Sequence, residues 1–200
     1  MPRPIAIDEE DLFAAAEWVL LRHGPSAFTL ARAAERARVS AATFIKRFGS
    51  KEKLFLRLSQ RWVASLDGAL RRAADEHGTA LGKLRAVALH SYYALDNPAT
   101  ASNQLAALAI DLQNDAQREL LHVGWDQVRR HLARHAQRAT SAGELVGAPP
   151  PAQLARIVLA AMEGGCLAWC VHPTGSLITR LQKDLDALLS GWSVTKEVAQ

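Results

Sequence analysis

The sequence predicts an all-α protein of about nine helices. Three observations predict it. Alanine and leucine are abundant while β-branched runs stay short, which favours helix throughout. No stretch alternates apolar and polar residues with period two, whereas apolar residues recur at the three- and four-residue spacing of a helix face. Glycine and proline then divide the chain into helix-length pieces, at Gly24-Pro25, Gly49-Ser50, Gly78, Pro98, Gly143 to Pro151 and His172-Pro173.

The first helix is expected to start near Asp8, whose carboxylate can cap it. Glu9, Glu10 and Asp11 sit in its first turn, where the helix dipole favours anions. Leu12, Ala16, Val19 and Leu20 give it a buried stripe. A second helix follows Thr29 and turns Leu30, Ala33, Ala34 and Ala37 inward. A third is capped by Ser40 and runs to about Phe48; Gly49-Ser50 breaks it, and Ser50 caps a fourth over about 51–77. Leu54, Leu58, Trp62, Leu66 and Leu70 recur every four residues along that fourth helix. Further helices fit 80–96, 100–113, 116–141, 152–171 and 176–192.

The 200 residues suffice for one domain or for a small domain and a larger one, and an apolar share of 49% excludes a disordered chain. Two cysteines are not a disulfide framework. Charges or prolines are expected to interrupt every apolar run before it reaches membrane-spanning length. Met1-Pro2-Arg3-Pro4 leads into acidic residues, so no secretory leader is expected. A reduced, cytoplasmic protein is the expectation.

Charge is unevenly placed. Residues 1–28 carry a net −3 and residues 29–57 a net +6, within a total of +4. A short positive segment is what a nucleic-acid-facing surface requires, although a solvated basic face has the same composition. The same segment, residues 29–54, places two short helices around a tight turn at Arg38-Val39. That is the layout of a helix-turn-helix. Ala33, Ala34 and Ala37 are small enough for the helices to cross closely. Ala41, Ala42 and Thr43 occupy the N-terminal half of the second helix, the half that faces base edges. Lys46, Arg47 and Lys51 are placed to meet phosphate, with Lys46 also a candidate for guanine. Thr29, Arg32 and Ser40 complete the candidate DNA-binding set.

Thr29, Ala34, Val39, Ser40, Thr43, Phe48, Ser50, Lys51, Glu52 and Leu54 follow an order that resembles the DNA-binding segment of the tetracycline-repressor (TetR) family. Leu12, Ala15, Ala16 and Gly24 fall where that family's first helix places its core and its terminal glycine, so the resemblance covers about residues 10–56. Two positions depart from it. Arg38 stands where the family has a turn glycine, and Ile45 where it has a tyrosine that often touches phosphate. The resemblance implies a helix-turn-helix DNA-binding domain at 1–50 and a helical effector-binding and dimerisation domain at 51–200. It further implies a regulator, in the commoner mode a repressor, that binds a palindromic operator as a homodimer and is released by a small molecule.

The resemblance also implies a ligand pocket among the body helices. Trp62, His90, Tyr92, Tyr93, Asn103, Trp125 and Met162 are its candidates, aromatic walls with a few polar groups that suit an apolar or aromatic effector. The last two helices pair with their copies in this family. The small residues Ala161, Gly164, Gly165 and Ala168 resemble such an interface, beside the stripe Leu181, Leu185, Leu188 and Trp192. Ordinary packing within the chain is the alternative.

His131 and His135 are four apart on a helix, but no carboxylate or cysteine nearby completes a metal set. Among Arg129, Arg130, Arg134 and Arg138 they read as a solvated face. Cys166 and Cys170, also four apart on a helix, read as packed thiols, with a redox-sensing regulator as the alternative function. No G-x-S-x-G, P-loop, dinucleotide fingerprint or H-E-x-x-H is present, so no enzyme, cofactor or metal is expected.

Overall fold

A computed structural model describes residues 8–194. Among these residues it has nine α-helices and one 3-10 segment. They are α1 Glu9–Ala27, α2 Leu30–Arg36, α3 Ala41–Phe48, α4 Lys51–Asp75, α5 Ala80–Leu89, the 3-10 turn His90–Leu95, α6 Pro98–Asp111, α7 Asp115–Ser141, α8 Pro151–Val171 and α9 Leu177–Ser190. The opening Met1-Pro2-Arg3-Pro4 lies outside the described residues. The helices gather into two compact units. One draws on Met1–Trp62 and Ala99–Leu121, the other on Val63–Pro98 and His122–Gln200.

In the N-terminal unit the local signals act as the sequence predicts. The Asp8 carboxylate accepts the Glu10 N–H and opens α1. Gly24 leaves helical geometry at φ 77°, and Pro25 begins a last short turn to Ala27. Asn103 of α6 packs against Gly24 and donates its amide to the Leu21 carbonyl, so it satisfies a helix end that would otherwise lack a donor. A Cβ on Gly24 would fall 2.5 Å from the Asn103 Oδ1, which ties this glycine to both its φ and its neighbour. Leu12, Phe13, Ala16, Val19, Phe28, Phe44, Phe48, Leu54 and Phe55 form one buried cluster. Its rings stack by edge or tilt: Phe13 on Phe48 at 5.2 Å, Phe28 on Phe55 at 5.0 Å, Phe44 on Phe48 at 4.8 Å.

The C-terminal unit is built on α8 and α9, against which α5 packs. Two acidic residues reach across loops to cap its helices. Glu144 accepts the N–H groups of Ala80 and Leu81 at the start of α5, and Asp96 accepts those of Leu177 and the Ser176 hydroxyl at the start of α9. Leu145, between the glycines of the predicted loop, is buried and bridges to Ser193.

Three expectations are corrected. The helix expected over 80–96 is α-helical only to Leu89, then tightens to 3-10 geometry. This turns Tyr92 inward while Tyr93 is 58% exposed, and Tyr92 hydrogen-bonds Glu163. His131 and His135 are not solvated. They are 2% and 4% exposed, because the face of α7 that carries Val128, Leu132, Ala136 and Ala139 is the buried one and takes the histidines with it. The third concerns length. With 21 residues and a mean hydropathy of 1.6 over its most apolar window, α8 is long and apolar enough to cross a membrane. Here Leu154, Val158, Met162, Cys166 and Trp169 form its packed face instead.

Candidate nucleic-acid interface

The turn between α2 and α3 is closed by backbone bonds from Arg38 N–H to the Glu35 carbonyl and from Val39 N–H to the Ala34 carbonyl. Such a helix end needs a left-handed residue, and Arg38 supplies it at φ 58°, the one non-glycine with positive φ among the described residues. Ala33 and Ala34 are fully buried where the helices cross.

Capping engages several hydroxyls that the sequence offered to DNA. The Thr29 Oγ1 accepts the Arg32 N–H, and the Arg32 guanidinium donates to the Ala27 carbonyl. The Ser40 Oγ accepts the Thr43 N–H and lies 2.8 Å from the Thr43 Oγ1. The Thr43 hydroxyl is therefore in contact with the cap residue, and either oxygen can be the donor. The exposed positions of α3 include Ala41, Ala42, Ile45 and Lys46, while Phe44 and Phe48 are buried beneath them. Ile45, which stands where the TetR family has a tyrosine and was left out of the candidate DNA-binding set, is 49% exposed. The signal was its spacing, four residues after Ala41 on the same side of a 3.6-residue helix.

The cations divide into two groups. The side chains of Lys46, Arg38 and Lys53 have no ion-pair or hydrogen-bond partner among the described residues. Several others are held. Arg47 and Arg57 both bond Glu9, at 2.8 and 2.5 Å, and Arg61 pairs with Glu10. The hydrogen bonds from Arg47 and Arg57 hold the Glu9 carboxyl below its ordinary range, so it is charged at neutral pH. Arg57 also lies 5.1 Å over the rings of Phe13 and Phe48. Lys51 opens α4 as expected, but its ammonium donates to the Pro25 carbonyl at 2.5 Å and sits 5.5 Å from the Phe55 ring. Two of its three protons remain for other acceptors.

The candidate pocket residues are divided between the two units. Trp62 and Asn103 belong to the N-terminal unit; His90, Tyr92, Tyr93, Trp125 and Met162 to the other. Asn103 is engaged under Gly24, Tyr92 is bonded to Glu163, and Met162 is 1% exposed in the core. A cavity of about 600 Å³ beside α5 and α9 includes Tyr93 but none of the other six.

The candidate dimer residues also separate. Leu181 and Leu185 are fully buried inside the protomer, which corrects their assignment to an interface. Gly165 faces its own α9: a Cβ there would lie 2.7 Å from the Leu181 Cδ2, so this glycine serves close packing within the chain. Gly164 has open space around it, and Ala168, Leu167 and Val171 are exposed on the same helix. Ala161, Leu188 and Trp192 are half-buried. Cys166 and Cys170 are free, and burial pushes the Cys166 thiol up to about 12, away from the thiolate that redox chemistry needs.

Residues 12–58 match the model of "Bacterial regulatory proteins, tetR family". No curated protein sequence matches the chain. Solved structures share its fold. The repressor SmeT of the Stenotrophomonas maltophilia multidrug efflux pump SmeDEF is 23% identical with a TM-score of 0.68, over 98% of this chain and 94% of that one. The reduced form of Escherichia coli NemR is 17% identical with a TM-score of 0.74, over 93% and 98%. Bacillus subtilis FadR in complex with stearoyl-CoA is 18% identical with a TM-score of 0.68, over 92% and 99%. A capped helix-turn-helix on an all-helical body is the fold class these observations define. The match over residues 12–58 makes the N-terminal segment similar to the TetR family of bacterial regulatory proteins.

Proposed function

We propose that this chain is a ligand-responsive repressor that binds a palindromic operator as a homodimer in the cytoplasm and leaves it when a small molecule binds. In this reading residues 1–50 bind DNA and residues 51–200 hold the effector and the partner. The observation that carries it is the exposed face of α3, with Ala41, Ala42, Ile45 and Lys46 standing clear of a packed phenylalanine core. Methyl groups of this kind suit thymine methyls in the major groove, and Lys46 is the one polar reader among them. Thr43 contributes its methyl, and Lys51 the protons it does not give to Pro25.

For an apolar or aromatic effector, the support is the cavity of about 600 Å³ beside α5 and α9, whose walls include Leu89, Tyr93 and Leu185. For the dimer, the support is the exposed row Gly164, Leu167, Ala168 and Val171 on α8. A symmetric pair places two recognition helices about one DNA turn apart.

The test is selection of bound duplexes from a random pool, followed by affinity measurements on the enriched sequence. A palindromic consensus that Ala42→Glu no longer binds is the expected result. Failure of any sequence to enrich overturns the DNA-binding reading. Sedimentation should show a dimer that Leu167→Asp dissociates; a protomer-sized species in the unaltered chain overturns the dimer alone.

A further inference from the structure

Several cations of the N-terminal unit are engaged inside it. Arg36 lies 4.8 Å over the Trp18 ring, the Arg32 guanidinium donates to the Ala27 carbonyl, and Arg47, Arg57 and Arg61 pair with Glu9 or Glu10. Arg38 differs. It is exposed, and its guanidinium has no ion-pair or hydrogen-bond partner among the described residues. At φ 58° it is also the one described residue that carries a side chain into left-handed geometry; the other positive-φ positions are the glycines Gly24, Gly49, Gly143, Gly147 and Gly175. In that geometry a Cβ crowds the following carbonyl oxygen, a clash that glycine escapes.

The fold makes no use of this side chain. Both bonds that close the turn are backbone bonds, from the Arg38 N–H to the Glu35 carbonyl and from the Val39 N–H to the Ala34 carbonyl. Glycine would make them equally well. A residue that strains its backbone while its side chain stays free of the protein points to a use outside it. Position says what that use is. Arg38 stands two residues before Ser40, the N-cap of α3. A recognition helix puts its N-terminal residues against base edges, so the turn ahead of it lies beside the DNA backbone. At that end α3 offers Ala41, Ala42 and the hydroxyls of Ser40 and Thr43, none of them charged; its cations, Lys46 and Arg47, stand in its last turn. The Arg38 guanidinium supplies the charge that the N-terminal end lacks.

We propose that Arg38 is a DNA contact, its guanidinium binding a backbone phosphate beside the N-terminal end of α3. The proposal rests on the DNA-binding reading above and adds to it a residue outside the set that the sequence nominates. Guanidinium–phosphate bonds are charge-assisted, and the free fork of Arg38 can make two of them. Such a contact strengthens binding to every sequence alike. It also sets stability against binding at one position, since the residue best for the turn is glycine and the residue best for the phosphate is arginine.

The experiment uses the full chain, the duplex enriched from a random pool and a scrambled duplex, across a salt series. Three variants separate charge from backbone. Arg38→Gln keeps a left-handed side chain and removes the charge. It should leave the melting point unchanged, weaken both duplexes by about fivefold, and lower the salt slope of log affinity by about 0.9. Arg38→Lys keeps the charge and should keep the slope and most of the affinity. Arg38→Gly relieves the backbone. It should melt about 2–4 °C higher than the unaltered chain and bind both duplexes as weakly as Arg38→Gln. A residue that served the fold alone would not couple a gain in stability to a loss of binding. The proposal is overturned if Arg38→Gln leaves affinity and slope unchanged, or if its loss is confined to the enriched duplex, which would make Arg38 a base contact. If the unaltered chain binds neither duplex, the DNA-binding reading fails and the contact with it; if the unaltered chain binds and Arg38→Gln binds equally, the contact alone fails.

Discussion

All five phenylalanines, Phe13, Phe28, Phe44, Phe48 and Phe55, lie buried in the N-terminal unit, whereas the C-terminal unit buries His131, His135 and Trp169 with ring nitrogens that have no protein partner. Gln117 is the N-terminal unit's single counterpart among such atoms. An apolar core of interlocked rings fixes one arrangement of α3, since a close-packed interior resists small displacements. A polar interior is different: each unmet acceptor costs stability until something donates to it. One unit packs rings beneath an exposed helix face, and the other buries polar side chains among its helices.

The largest test of this contrast is Phe44→Ala. It removes a fully buried ring from the smaller core and should cost about 3–5 kcal/mol in urea denaturation. A loss below about 1 kcal/mol would mean that the rings are not what fixes α3. Next is Gly165→Ala, expected to cost about 1–3 kcal/mol because its methyl meets Leu181 at 2.7 Å. Gly164→Ala, one residue earlier, should instead stabilise the protomer by up to about 1 kcal/mol through helix propensity. Equal effects at the two positions would refute the orientation of α8 described here.

The polar interior should also show in the pH dependence of stability. His135 sits at about 4 when folded, against about 6.5 in an unfolded chain. Between those values the unfolded state binds a proton that the folded state refuses. This group's contribution is therefore complete above about pH 6.5 and is lost as pH falls toward 4. The melting temperature of His135→Gln should fall less steeply over that window; an unchanged slope would remove His135 as the cause. On DNA the smallest effects are expected. Lys46→Ala and Lys51→Ala should each lower the salt slope of log affinity by at most about 0.9, and only Lys46→Ala should distinguish operator from scrambled duplex.

Much of the N-terminal unit was legible because its signals are local. Asp8, Thr29, Ser40 and Ser50 each cap the helix that follows, through bonds spanning two or three residues. The short link between α2 and α3 likewise forces Arg38 to positive φ. The body was less legible because its decisive partners are remote. His131 looked solvated among arginines, and its partner Asp67 lies 64 residues away on another helix. Gly164 and Gly165 are adjacent, but successive residues on a helix point about 100° apart. Composition could not say which of the two meets α9. The recognition face was only half-read: the caps were evident, but the contact of the Thr43 hydroxyl with Ser40 and the exposure of Ile45 needed coordinates.

Glu9 gives the protein a resident competitor for DNA. Arg47 bonds Glu9 through Nε alone, so in the DNA-binding reading its other N–H groups are open to a phosphate while the Glu9 carboxylate, kept charged by its two partners, opposes that phosphate. A phosphate bound at that point would lie beside a carboxylate, and its net gain would be smaller than a bare guanidinium would give. The effect falls equally on every sequence, because phosphates carry no base information. If the chain binds DNA as proposed, a restraint of this kind would shorten its dwell on each wrong site. Glu9→Gln should lengthen the residence on scrambled duplex more than it sharpens the preference for operator. Dissociation rates measured on both DNAs would show whether the restraint serves the search.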